Sequence, residues 1–163
     1  MPEVIFRRAT RADVPAVLGL LADDPIGATR EQTPAAGTAG GPDVAEAVDA
    51  AYWRAFEQID VDPRNELIVA DEGGTVVGTC QLTFTPSLSR RGTERMTIEA
   101  VRVHGDLRGR GVGRAMMRWA LDRARERGCT LAQLTTDKRR VDAHRFYVSL
   151  GFTASHEGLK LTL

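Results

Sequence analysis

Three glycines alternate with basic and apolar residues at Arg108-Gly109-Arg110-Gly111-Val112-Gly113-Arg114, a run whose natural chemistry is to hold an anion. Before it, Met96, Ile98, Ala100, Val101 and Val103 form an apolar stretch rich in β-branched residues that stops at Gly105, the pattern of a strand entering a turn. After it, Val112, Met116, Ala120 and Ala124 recur at helical spacing. The first amides of a helix have no intrahelical acceptor and lie at the positive end of its dipole. Glycines there remove the Cβ atoms that would keep a phosphate or pyrophosphate away from those amides. Two other phosphate loops are excluded. Counting G-x-G-x-x-G from Gly109 or Gly111 puts Arg114 or Met116 where the last glycine should be, and no Gly-Lys-Ser/Thr follows. The plainer alternative is a glycine-rich turn leading into a solvated arginine face.

Glu99 is a second candidate, a carboxylate inside an otherwise apolar strand. Desolvation there would raise its pKa toward that of a working base. It could equally bind a cationic amine or pair with an arginine.

The elements that must position these residues follow along the chain. Val4–Arg8 reads as a strand, and Thr10 with Asp13 starts a helix carrying Val14, Val17, Leu18 and Leu21. Residues 24–42 read as a loop of Pro, Gly, Thr and Ala, and Asp43 restarts a helix through Val44, Ala47, Val48, Ala51, Tyr52 and Phe56 to about Asp60. Residues 66–84 predict an antiparallel hairpin about Gly73-Gly74, and the Met96 strand follows. The Val112 helix is expected to end at Gly128, before a strand over Cys129–Thr136. The order is β-α-α-β-β-β-α-β, then a short helix at Asp142–Leu150 and a closing hairpin over residues 153–163, in which Leu159, Leu161 and Leu163 alternate with polar residues.

Composition narrows the function classes. The 163 residues, 42% hydrophobic and 27% charged, suit one globular domain, and the formal net charge of zero offers no basic field for nucleic acid. Asp122 and Glu126 interleave the arginines of the Val112 helix, so an ion-paired face is expected there. No apolar run is long enough for a membrane span, and the charged MPEVIFRRAT has no signal-peptide core, so a cytoplasmic location is expected. Cys80 and Cys129 read as buried thiols, and the three histidines suggest no metal site.

The hexapeptide Arg108-x-x-Gly111-x-Gly113 resembles the Q/R-x-x-G-x-G/A signature of the GCN5-related N-acetyltransferase superfamily. A second motif follows in the right order: Ala143-His144-Arg145-Phe146-Tyr147 leading to Gly151-Phe152 resembles that family's A-x-x-x-Y-x-x-x-G-F element. The stretch from Lys138-Arg139-Arg140 to Tyr147 is also similar to the small-amine branch that includes aminoalkylphosphonate acetyltransferases.

The resemblance implies a single α/β (α+β) domain over residues 1–163, with a mostly antiparallel mixed sheet splayed between its fourth and fifth strands. It implies that acetyl-CoA lies in that splay, bonded by the backbone of Val101, Arg102 and Val103. Gly109, Arg110, Gly111, Val112, Gly113 and Arg114 would hold its pyrophosphate, with Arg108 in the signature position and charge added by Arg114 and Lys138. Tyr147 would bond the cofactor and protonate the departing thiolate, with Glu99 as the base. One departure stands out, since many relatives carry an asparagine where this chain has Arg140.

The implied function is acetyl-CoA-dependent N-acetylation of a small amine. The alternatives are an acyl-CoA sensor with little catalysis and an acetyltransferase acting on protein lysines or N-termini. Asp23, Asp24, Glu31 and Glu46 make the acceptor region mildly acidic, which would suit a cationic amine. The alternating C-terminal strand, offered edge to edge, predicts a homodimer through residues 152–163.

Overall fold

The computed structural model describes residues 3–24, 26, 29–30 and 48–163. Strand β1 (Val4–Arg8) is followed by a single 3-10 turn (Arg11–Asp13) and helix α1 (Val14–Ala22). The turn forms because the Thr10 N–H and hydroxyl both donate to Asp13 Oδ2, at 2.7 and 3.0 Å. Arg7 reinforces it, donating to Asp13 at 2.7 and 3.0 Å and to Asp71 at 2.9 Å.

Helix α2 (Ala50–Val61) starts later than the apolar spacing predicts. Asp49, not Asp43, caps it by accepting from the Ala51 N–H at 2.7 Å, and Val48 precedes the helix rather than sitting within it. Asp43, Val44 and Ala47 lie outside the described residues. The predicted 24–42 loop also falls largely outside them.

The hairpin forms as expected from β2 (Asn65–Glu72) and β3 (Thr75–Pro86), with Gly73 and Gly74 both at positive φ. After a short turn come β4 (Glu94–Val103), helix α3 (Val112–Glu126), β5 (Leu131–Leu134) and helix α4 (Val141–Ser149). Gly128, at φ 85°, ends α3 with its N–H bonded to Arg125 O at 2.9 Å, as a C-terminal glycine does. The sheet order is β1-β2-β3-β4-β5, antiparallel through β4, with β5 parallel to β4.

Each face of the sheet has its own core. On one, Met116, Met117, Ala120 and Ala124 of α3 cover Ile68, Leu82, Phe84, Met96 and Ile98. On the other, Val14, Val17 and Leu18 of α1 and Phe56 of α2 cover Val69. Burying each large side chain is worth about 1.5–3 kcal/mol, so these two layers hold the strands in place.

The C-terminal hairpin does not form. Residues 152–163 contain no strand, and Leu159, Leu161 and Leu163 are almost fully exposed. Alternation supplies a strand with one apolar face, but a strand also needs a neighbouring backbone to pair with, and although Phe152 packs on the core and Gly158 lies near Thr135, no described strand pairs with this segment. The predicted Cys129–Thr136 strand likewise shortens to Leu131–Leu134, the part that pairs with β4.

Candidate active site

The site is built where β4 outruns its partner. Strand β5 pairs with Arg95–Ile98 only, so among the described residues Glu99–Val103 has no strand on that side, which is the predicted splay. A bulge lies in the same stretch. Thr79 pairs with Arg102 and Gln81 with Glu99, so Ala100 and Val101 both stand opposite Cys80. Ala100 adopts φ 53°, a left-handed conformation costing a residue with a Cβ about 1–2 kcal/mol. The extra residue resets the alternation: Met96 and Ile98, then Val101 and Val103, join the α3-side core. Glu99 and Arg102 therefore share the opposite face.

The glycine turn follows a 3-10 turn at Gly105–Leu107. Gly109 and Gly111 have φ 81° and 87° with open space where a Cβ would be, so the backbone conformation, not crowding, requires glycine there. Gly111 caps α3, and the first intrahelical bond runs from the Ala115 N–H to Gly111 O at 2.9 Å. Helix geometry thus leaves the amides of Val112, Gly113 and Arg114 for a ligand. A Cβ on Gly113 would lie 3.5 Å from Val103 Cγ2 and 3.7 Å from Phe146 Cζ, so this first turn sits against both β4 and α4. The Arg108 and Arg110 amides are bonded inside the turn, to Gly105 O and Leu107 O, each at 3.2 Å.

The basic side chains divide. Arg108 Nε donates to Val103 O at 3.4 Å and its Nη2 to Asp23 O at 3.3 Å, joining β4 to the end of α1. Arg114 Nη2 donates to Ser149 Oγ at 2.8 Å, joining α3 to α4. Lys138 stands apart, in a cleft with Thr136, Asp137, Val141 and His144 whose lining includes no residue of the glycine turn. The interleaved carboxylates take only part of the arginine face: Arg125 pairs with Asp122 and Arg123 meets Glu126 at 3.6 Å, while the shorter partner of Arg123 is Glu66 on β2 and Arg127, just past the helix, pairs with Glu94 on β4.

Tyr147, on α4, is half-buried with its ring 5.3 Å from that of Phe146 and 6.1 Å from that of Phe152. Burial raises its pKa above the ordinary phenol value, and the nearby Arg102 guanidinium pulls the other way. The phenol is therefore a proton donor at neutral pH. Glu99 is exposed rather than shielded, against the expectation from its apolar sequence neighbours. Cys80, fully buried beside the bulge, has its thiol pushed up to about 12 and is inert, and both cysteines are free.

Sequence reasoning missed one cluster. Asp24, just past α1, accepts a hydrogen bond on Oδ1 from Arg140 Nη2 at 2.8 Å, and Arg102 Nε stands 3.1 Å from its Oδ2 as an ion pair without hydrogen-bond geometry. Burial lowers the Arg102 pKa, and Asp24 opposes that shift. Asp23 and Asp24 are thus engaged by arginines and are not a free acidic lining for a cation. The one signal was the unexpected Arg140; its partner lies far away in the chain. Among the described residues no group of His, Cys, Asp and Glu could hold a metal, and no helix is long and apolar enough to cross a membrane.

An unpaired strand segment running into bare helix amides, with a protonated phenol close enough to Arg102 of that strand to feel its charge, fits an extended acyl carrier with a pyrophosphate. Residues 32–152 match the model of the Acetyltransferase (GNAT) family, and the chain belongs to that family. It is 34% identical over 106 residues to an aminoalkylphosphonate N-acetyltransferase of Salmonella typhimurium, covering 65% of this chain and 68% of that one. It is 31% identical over 90 residues to a glucosamine 6-phosphate N-acetyltransferase of Trypanosoma brucei brucei, covering 55% and 59%. A solved structure described as a transcriptional regulator from Bacillus halodurans C-125 superposes with a TM-score of 0.89 at 47% identity, over 99% of this chain and 100% of that one. The protein is accordingly an acyltransferase with acetyl-CoA as its cosubstrate.

Proposed function

We propose that this protein transfers the acetyl group of acetyl-CoA to the primary amine of a small molecule by direct attack in a ternary complex. The observation that carries this reading is the alignment of the free β4 segment, the α3 amides and Tyr147 around one splay. The pantetheine runs along Val101–Val103, and the pyrophosphate sits on the amides of Val112, Gly113 and Arg114. Glu99, exposed on the open face, accepts a proton from the incoming ammonium. The freed nitrogen attacks the thioester carbonyl carbon, the C–S bond breaks, the thiolate takes the proton of Tyr147, and the acylated nitrogen sheds its remaining extra proton to the tyrosinate, which restores the phenol. Both named N-acetyltransferase relatives act on small amines, which supports this acceptor class.

The second reading is a ligand sensor, favoured by the Bacillus halodurans relative described as a transcriptional regulator. A sensor needs the glycine turn but not a protonated phenol beside the splay, so the enzyme reading is preferred. Acetylation of a protein amine is the further alternative. Thiol release from acetyl-CoA, measured with a panel of small amines and with lysine peptides alongside thermal shift, tests all three. Turnover on a small amine is expected; stabilisation with no turnover on any amine would favour the sensor.

The working unit we propose is a homodimer in which residues 152–163 contribute to the interface. Three leucines almost fully exposed on one short segment support it, because a second copy would remove them from water.

A further inference from the structure

On the face of the sheet that carries Glu99, the bulge at Ala100 also turns out Arg102, and α4 begins with Arg140 beside it. Both guanidiniums close on the two oxygens of Asp24, at 3.1 and 2.8 Å. The side chains of Asp24, Arg102 and Arg140 are 9%, 19% and 24% exposed, so the group is mostly withdrawn from water yet still reachable. Among the described residues the two arginines share this one carboxylate, which leaves the trio one positive charge in excess. A structural ion pair needs only one of them. Arg140 alone already neutralises Asp24 through its hydrogen bond, while Arg102 meets the same carboxylate without one and donates instead to Val101 O at 2.8 Å, which fixes its direction. The second guanidinium supplies charge that the fold does not consume, close enough to Tyr147 for both arginines to act on the phenol.

The opposite charge lies nearby on the same face. Glu99 precedes Arg102 by three positions, which at the strand rise of about 3.3 Å per residue separates their Cα atoms by roughly 10 Å, and less across a bulge. Side chains of this length reach toward each other across such a gap. The face therefore offers a carboxylate for an ammonium and a held pair of guanidiniums for an anion.

We infer that Arg102 and Arg140 form an anion subsite, and that the acceptor is an amine carrying a phosphonate, phosphate or carboxylate group a few bonds from its nitrogen. This rests on the acetyl-transfer reading above and specifies its substrate. The guanidinium fork donates to two oxygens of either a tetrahedral or a planar anion. Asp24 positions the pair and does not itself touch the substrate.

The test compares 2-aminoethylphosphonate, β-alanine and propylamine as acceptors with the full chain. One or both acidic amines are expected to exceed propylamine in kcat/KM by at least about tenfold, the scale of a buried charge contact, and their order separates a tetrahedral from a planar anion. In Arg140→Gln that ratio should fall toward one through the KM of the amine, while the KM of acetyl-CoA holds, and Arg140→Lys should keep most of it. Methylphosphonate should compete with the amine and not with acetyl-CoA. Equal use of all three amines, an undiminished ratio in Arg140→Gln, or methylphosphonate competing only with acetyl-CoA would overturn the subsite. If no amine is acetylated, the acetyl-transfer reading fails, and the subsite is judged separately by heat stabilisation of the CoA-bound protein. There, methylphosphonate should stabilise the wild type and not Arg140→Gln, and no difference between them would overturn it.

Discussion

Arg123 of α3 grips Glu66 of β2 through two bonds, Nη2 to Oε1 at 2.8 Å and Nε to Oε2 at 3.1 Å. The glutamate side chain is 5% exposed and the arginine 43%, so a nearly buried carboxylate depends on a guanidinium at the surface. The pair locks α3, whose first amides are the proposed pyrophosphate donors, onto the sheet. Arg123→Ala should destabilise the fold by about 2 kcal/mol, below the 3–5 kcal/mol of a fully buried pair because water screens the arginine. Urea unfolding measures this, and Glu66→Gln combined with Arg123→Ala should cost less than the sum of the two alone.

Acetyl-CoA should raise the melting temperature of the wild type, and Gly111→Glu should abolish the rise. A carboxylate would stand where the pyrophosphate must sit and repel it at short range. Because Gly111 has φ 87°, any side chain there strains the backbone, so Gly111→Ala is the matched control. It should melt lower than wild type yet keep part of the ligand-induced rise. An equal rise in both variants would remove the glycine turn from the cofactor site.

Tyr147→Phe should lower kcat by about 100-fold or more with little change in acetyl-CoA affinity, since only the thiolate's proton donor is lost. The phenol pKa lies above its ordinary value of about 10, so the tyrosine stays protonated through neutral pH and its alkaline limb falls above that value. Glu99→Gln should lower kcat, because the acceptor for the ammonium proton is lost. If Glu99→Gln raises only the KM of the amine, Glu99 is a binding group and water is the base.

Asp13 gives the acid limb of stability. Its hydrogen bonds to Arg7 hold its pKa below the usual carboxylate value. A depressed folded-state pKa means the stabilisation is fully present above the unfolded value of about 3.9 and is lost as pH falls through the folded one. Asp13→Asn should therefore melt below wild type at pH 7, and the gap should narrow below about pH 4. A gap that is constant with pH would mean the loss is packing rather than charge.

The protein should scatter light as a dimer at micromolar concentration, and deletion of Leu159–Leu163 should yield monomers. A monomeric wild type would refute the assembly, and a dimer that survives the deletion would move the interface elsewhere.

Local physics made much of this protein legible in its residues alone. The Met96–Val103 alternation, the glycines before Val112 and the cap at Gly128 each depend on neighbours within a few positions, so strand, anion turn and helix could be read in order. Tyr147 was legible through a motif of fixed spacing, since it shares a short helix with the glycine that ends it. What needed the tertiary structure was every feature made by residues far apart. The bulge at Ala100 exists only against β3, and it alone turns Arg102 toward Asp24. The Asp24–Arg140 contact joins the end of α1 to the start of α4, and no local pattern encodes such a pairing. Glu99 looked shielded because its sequence neighbours are apolar, yet side chains alternate across a strand, and whether its own face is covered depends on helices elsewhere in the chain. The C-terminal leucines failed as a strand for the same reason, since alternation states which residues would share a face, and only a partner backbone makes that face a sheet.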